Sequence, residues 1–244
     1  MGGLVLGIET ATALGGVALV SADGGLLAET TLLGRESHSE RIIPAAGELL
    51  DAFAPSPGDL AAVAVSRGPG SFTGLRTGLA AAKGLAFARG IPLFGVSTLE
   101  ALAANAPPGS GTVSVVLGAR RGEVFHARFD AAGDAPKRLT PDALVPLADI
   151  AGELQPGSLV LGEPPEPVRK ARLSPPLRFA PAHLNHPRAA TVALAGLAAL
   201  RAGRPTELES LLPAYLRGPD ADLPGGRDHR GLSCNDKGFR DGLR

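Results

Sequence analysis

Apolar positions come in short runs separated by glycine- and proline-rich turns. Residues 4–8 form one continuous run, closed by Glu9; residues 17–20 form a second and 26–33 a third. Between the last two stands Ala22-Asp23-Gly24-Gly25, chemistry that turns a chain back on itself. The pattern predicts a meander of three strands. The spacing then changes. Ile42, Ile43, Ala46, Leu49, Leu50 and Phe53 recur at three and four residues behind Ser39, which predicts a capped helix over 39–53. Pro55-Ser56-Pro57-Gly58 stops it. Residues 62–65 predict a buried strand, 75–88 a helix, 91–96 a strand, and Thr98 the start of a short helix.

The stretch 105–111, Asn-Ala-Pro-Pro-Gly-Ser-Gly, reads as a boundary between two lobes, 1–105 and 106–217. Beyond it the opening pattern returns. Residues 113–117 predict a strand, Gly118-Ala119-Arg120-Arg121-Gly122 a turn, and 123–129 an alternating strand. Leu6-Gly7 followed by Gly16-Val17 is echoed by Leu117-Gly118 followed by Gly122-Glu123-Val124, a short internal repeat. Residues 159–162 predict a strand and 188–202 an Ala/Leu-rich helix that packs on a sheet. From 218 to 244 the chain is polar, rich in glycine and without period, which predicts a disordered tail.

Composition narrows the function classes. The formal net charge is zero, whereas a chain that grips RNA by itself carries an excess of Lys and Arg. This leans towards protein partners. Cys234 is the single cysteine, which fits a reducing compartment. Residues 1–10 do not read as a signal peptide, and the longest apolar helical stretch, 191–200, is too short to span a bilayer. The expectation is a cytoplasmic protein with no membrane association.

The strongest local signal is the glycine-rich loop Arg67-Gly68-Pro69-Gly70-Ser71-Phe72-Thr73-Gly74 between a predicted strand and helix. Its amides at Ser71, Phe72, Thr73 and Gly74 can face an anion. No Gly-Lys-Ser/Thr follows, so it is not a nucleotide-binding loop of that kind. The plainer reading is a tight strand-to-helix turn capped by Thr73. Glu9, after the first strand, stands where a carboxylate can orient a metal and phosphates. No glycine follows until Gly15, and the plainer reading is a turn acid. His183 and His186 are bracketed by Pro181 and Pro187 and lack a third ligand, so they read as ordinary loop histidines. His38-Ser39 has no third group and does not make a hydrolase. No catalytic or metal-binding residue is therefore assigned. The helix after the loop repeats Gly74, Gly78, Ala82 and Ala86 every four residues, a ridge that lets another element approach closely, whether a partner helix or the chain's own sheet.

Several ordered motifs resemble the TsaB family: Leu6-Gly7-Ile8-Glu9-Thr10-Ala11-Thr12, His38-Ser39-Glu40, the loop continued through Leu75-Arg76-Thr77-Gly78, Gly95-Val96-Ser97-Thr98-Leu99-Glu100-Ala101-Leu102, and Ala119-Arg120-Arg121-Gly122-Glu123-Val124-Phe125. The similarity covers residues 3–217. It implies an α/β, actin/Hsp70-like (ASKHA) two-lobed fold: two RNase H-like subdomains, the second reduced. It also implies a non-catalytic partner of a TsaD-like catalytic subunit, joined by a TsaE-like ATPase. That complex transfers a threonylcarbamoyl group to the adenosine beside the anticodon of tRNAs reading codons that start with A. ATP is used by the complex, tRNA is met through it, and no cofactor belongs to this chain. A self-dimer is a further expectation. The family's usual Asp after the first strand is Glu9 here, which weakens a nucleotide role.

The resemblance places the partner face on the first lobe's helices. Helical spacing proposes Gly74, Leu75, Gly78, Leu79, Ala82 and Ala86, with Ile42, Ala46 and Leu49 of the preceding helix. Two other functions compete. An ATP-dependent small-molecule kinase of the same fold needs a phosphate-binding turn in each lobe, and the turn 118–122 lacks an acid and a glycine loop. A metallopeptidase needs a ligand constellation, and no His-x-x-x-His or His-x-x-x-x-His pair occurs.

Overall fold

Strand β1 (Leu4–Glu9) is buried along its whole length, as an apolar run covered on both faces must be. It pairs antiparallel with β2 (Leu14–Val20), which pairs antiparallel with β3 (Leu26–Leu33). Helix α1 (His38–Phe53) follows, then β4 (Leu60–Gly68), parallel to β1 on its other side. Helix α2 (Phe72–Arg89) leads to β5 (Leu93–Ser97), parallel to β4. The first sheet therefore has the order β3-β2-β1-β4-β5, that of an RNase H-like unit. This computed structural model describes residues 3–33, 38–120 and 122–216; the tail expected over 218–244 lies outside them, as do the side chains of His38, Ser39 and Glu40.

Helix α3 (Thr98–Ala103) joins the first sheet to a second one. There β6 (Thr112–Gly118) and β7 (Glu123–Asp130) pair antiparallel, and β8 (Lys137–Arg138) and β9 (Ala143–Pro146) both lie against β7. After α4 (Ile150–Glu153), β10 (Leu159–Gly162) runs parallel to β6. After α5 (Glu166–Arg169), β11 (Arg178–Phe179) runs parallel to β10. Each sheet thus opens with a central antiparallel pair and adds parallel strands beside its first strand, which gives the short sequence repeat a structural counterpart. The last helix, α6 (Ala189–Arg201), returns to pack on β1, β2 and β4 of the first sheet.

Alternation along β1 decides which helix covers which face. Leu6 and Ile8 join Val17, Leu19, Val63 and Val65 beneath α1 and α2, with Ile42, Leu49, Leu79 and Ala82. Val5 joins Val20, Ala62, Ala64 and Phe94 beneath α6, with Val192, Ala193 and Leu197. In the second sheet Leu99 and Leu102 of α3 cover Val113, Val115 and Phe129, while Ile150 and Val168 cover Val116, Val124 and Val160 on the other face. The open edge of β5 meets the segment 206–214 at Leu93, whose N–H donates to Thr206 Oγ1 at 3.0 Å and whose O accepts from Glu207 N–H at 2.9 Å, while Ala214 N–H donates to Arg67 O of β4 at 2.7 Å.

Strand limits are wider than the apolar runs. β2 begins at Leu14 rather than 17, and β4 covers 60–68 rather than 62–65, because ladder pairing extends past the apolar positions. Helix α2 starts at Phe72, three residues before the predicted 75, and its cap is Ser71 rather than Thr73. The Ser71 hydroxyl accepts from Gly74 N–H at 3.3 Å. Among the described residues, no helix is long and apolar enough to cross a membrane.

Candidate functional site

The glycine-rich loop 67–74 packs against the chain's own turn after β1. Ser71 N–H donates to Ala11 O at 2.8 Å, and the Thr10 hydroxyl donates to Gly74 O at 2.8 Å. The loop and the first turn of α2 therefore lie directly on the turn that follows β1. At the other end of the chain, Tyr215 stacks on Phe72 with ring centroids 5.0 Å apart. The Arg76 guanidinium sits 3.8 Å from the Phe72 centroid and donates from Nε to the Tyr215 hydroxyl at 3.1 Å. These contacts pin the segment before Arg217 to α2; Arg217 itself lies outside the described residues.

Glu9 is fully buried on the α6 side of the first sheet. Its Oε1 accepts from Ala11 N–H at 2.5 Å, and Oε2 has no hydrogen-bond partner among the described residues. Burial pushes its carboxyl up to about 7 against the smaller opposing pull of the Ala11 amide, the Ser66 hydroxyl and the Thr10 amide. His183 is exposed, and His186 Nδ1 lies 3.9 Å from Glu163 Oε1. Among the described residues, no three His, Cys, Asp or Glu side chains are grouped to hold a metal. His126 on β7 escaped the sequence reading: it is buried, its Nε2 has no partner among the described residues, and desolvation with the nearby Arg128 charge lowers its pKa to about 4. The signal for it was parity, since it alternates in step with buried Val124.

The ridge Gly74, Gly78, Ala82 and Ala86 turns inward. A Cβ on Gly74 would stand 2.0 Å from Thr10 O, and one on Gly78 2.2 Å from the Thr10 hydroxyl oxygen. Leu75 and Leu79 are buried beside it, as are Ile42, Ala46 and Leu49 of α1. The expectation that these nine residues form an outward face is corrected: they are mainly core, because small side chains here let α2 seat on the end of β1.

What α1 and α2 turn outward is a groove between them, a cavity of about 610 Å³. Ile43, Ala46 and Gly47 line it from α1, and Thr77, Ala80, Ala81, Gly84 and Leu85 from α2; Asp51 and Arg89 are its charged members. Of the nine expected residues, only Ile42 and Ala46 border it. Ile43 is 64% exposed, a large aliphatic side chain left in water. The sequence held a signal for the groove as well. Thr77, Ala81 and Leu85 form a second row four residues apart, next to the one that faces the sheet.

Residues 24–174, more than half of the chain, match the family model described as TsaD: tRNA N6-adenosine threonylcarbamoyltransferase. A Bacillus subtilis (strain 168) protein called tRNA threonylcarbamoyladenosine biosynthesis protein TsaB is 38% identical over 145 residues, 59% of this chain and 63% of that protein. An Escherichia coli (strain K12) protein of the same name is 42% identical over 127 residues, 51% of this chain and 54% of that protein. The chain thus spans between about half and two thirds of the length of these curated relatives. Among solved structures, YeaZ from Pseudomonas aeruginosa superposes with a TM-score of 0.74 at 28% identity, covering 88% of this chain and 100% of that one.

Proposed function

The chain belongs to the TsaB family, and on that premise we propose that it is a non-catalytic partner subunit in the synthesis of threonylcarbamoyladenosine on tRNA. Its partner is a TsaD-like catalytic subunit, a TsaE-like ATPase joins them, and the tRNA is met in the assembled complex. ATP is consumed by the assembly, and this chain brings no cofactor of its own. The setting is the cytoplasm.

The observation that carries this reading is the groove between α1 and α2. Its lining is mainly apolar, with Ile8, Ile42, Ile43, Leu50 and Leu85 beside the small Ala80, Ala81 and Gly84 of one helix face. Small side chains let a partner helix approach closely enough to pack its own ridge into the groove. Among the described residues, Thr77, Asp51 and Arg89 are the polar side chains of the lining. Without the catalytic subunit, the same groove can receive α1 and α2 of a second copy, which gives the expected self-dimer.

Reconstitution tests the proposal. Purified chain, TsaD-like subunit, TsaE-like ATPase, threonylcarbamoyl donor and unmodified tRNA are combined, and each protein is left out in turn. Transfer is expected only with the full set. Transfer by this chain alone would sink the non-catalytic reading, and undiminished transfer in its absence would sink the partner reading.

A further inference from the structure

Residues 169–179 carry a concentration of positive charge that a net charge of zero conceals. Arg169, Lys170, Arg172 and Arg178 are all exposed, and so is the ring of Phe179, at 39%. The Arg169 guanidinium lies 5.6 Å from the Phe179 ring centroid, so the end of α5 and strand β11 present one surface. Lys170 is paired with Glu166 at 2.6 Å. The three guanidinium groups have no carboxylate at ion-pair distance among the described residues. α4, which packs on α5, adds only Glu153.

Two of these arginines are held in place without losing charge. Arg169 Nε donates to the Pro164 carbonyl at 3.1 Å, and Arg178 Nε to the Gly157 carbonyl at 3.2 Å. Arg178 also donates from Nη2 to the Ser110 carbonyl. Backbone carbonyls orient a guanidinium but leave its positive charge in full. The apolar residues of the stretch, Ala171, Leu173 and Leu177, pack inward on the second sheet's core. Outside remain only Phe179 and the rings of Pro175 and Pro176, too little apolar surface in this stretch to bury a face in a bilayer.

We propose that Arg169, Arg172 and Phe179 form a contact surface for RNA; Arg178, next to Phe179 in the strand, points to the other face of the sheet. The guanidinium groups take backbone phosphates, for which their planar fork is suited. The Phe179 ring takes the face of one unstacked base. In the complex proposed above that RNA is the tRNA; the identity of the RNA rests on that reading, while the surface itself does not.

The test measures tRNA affinity at several salt concentrations, for the chain alone and with the TsaD-like subunit, beside size-exclusion assembly of the two proteins. The double variant Arg169→Gln, Arg172→Gln should bind unmodified tRNA about tenfold more weakly or worse. Its log–log salt slope should fall by about one to two, one counterion for each phosphate no longer neutralised. Phe179→Ala should weaken binding, and Phe179→Trp should restore it. Assembly should not change. Arg172 makes no internal hydrogen bond among the described residues, so Arg172→Glu decides the matter even where the double variant fails to fold. Folded variants with wild-type affinity and slope overturn the proposal. So does a wild-type chain that binds vesicles of anionic lipid but not tRNA, alone or assembled. If the chain fails to assemble while the variants still lower RNA binding by the chain alone, the partner reading falls and this surface stands.

Discussion

The Thr10 hydroxyl donates to the carbonyl of Gly74 at 2.8 Å, across 64 positions of sequence. One residue on, Ala11 O accepts from Ser71 N–H. The turn after the first strand and the first turn of α2 are thereby one unit. This unit fixes where α2 lies, and α2 forms one wall of the groove. A change on the inner side of α2 should therefore act on folding, and a change on its outer side on association.

Adding a methyl group at the seat should be costly. Gly74→Ala and Gly78→Ala would put Cβ atoms 2.0 and 2.2 Å from Thr10 oxygens. Overpacking of this kind destabilises by about 1–3 kcal/mol, and each kcal/mol lowers the melting temperature by about 2–4 °C in a chain of this size. Gly84→Ala is the contrast. A Cβ there meets nothing within 4 Å, so the usual gain of about 0.5–1 kcal/mol from replacing a helical glycine is expected. Scanning calorimetry of the three variants checks both signs. A Gly78→Ala variant as stable as Gly84→Ala would show that the seat is loose.

The first sheet was readable because each of its elements is long enough to show a period. The runs at 4–8 and 26–33 and the spacing from Ile42 to Phe53 all fall inside the observed elements. Of the second sheet, the runs at 113–117, 123–129 and 159–162 fall on β6, β7 and β10, but β8 and β11 are two residues long and α4 and α5 four, too short for any period to appear. Spacing also marked α2 as a helix made for close approach. It could not say which of two adjacent rows faces the sheet, because neither carries a charge. That choice depends on Thr10, 64 residues from Gly74, which no local pattern reports. The basic surface at 169–179 stayed hidden for a different reason: a sum over the chain cancels charges that the fold separates.

Stability against pH should be governed by two buried groups with opposite signs. Glu9 rises from 4.5 to about 7 on folding. Between those values the folded chain keeps a proton that the unfolded chain has released, so this contribution is full below 4.5 and is lost as pH rises to about 7. His126 falls from 6.5 to about 4. The unfolded chain there keeps the proton, so stability is lost as pH falls from 6.5 towards 4. From 4.5 to 6.5 the two slopes, each up to about 1.4 kcal/mol per pH unit, oppose each other. The wild-type profile should be nearly flat in that window. Glu9→Gln should leave a stability that rises with pH, and His126→Gln one that falls. Urea midpoints at half-unit steps read this directly. Parallel profiles for the two variants would rule the pair out.

Ala82 and Ile43 should separate folding from docking. Ala82 has no exposed surface and lies in the core cluster under α1 and α2, so Ala82→Trp forces an indole into filled space. The expected result is a loss of about 1–3 kcal/mol or a failure to fold, with partner binding reduced only in proportion to the folded fraction. Ile43 is 64% exposed and lines the groove. Ile43→Glu removes little from the chain's own core, so its stability should stay within about 0.5 kcal/mol of wild type. A carboxylate facing an apolar partner helix must be desolvated or push it away. Binding of the TsaD-like subunit should therefore weaken tenfold or more, as at an interface anchor. The measurement is a melting curve and a titration for each variant. A stable Ala82→Trp that cannot bind would return the inner ridge to the interface. An Ile43→Glu that binds like wild type would remove the groove from it, since a charge on that side chain could not be buried against a partner helix without cost.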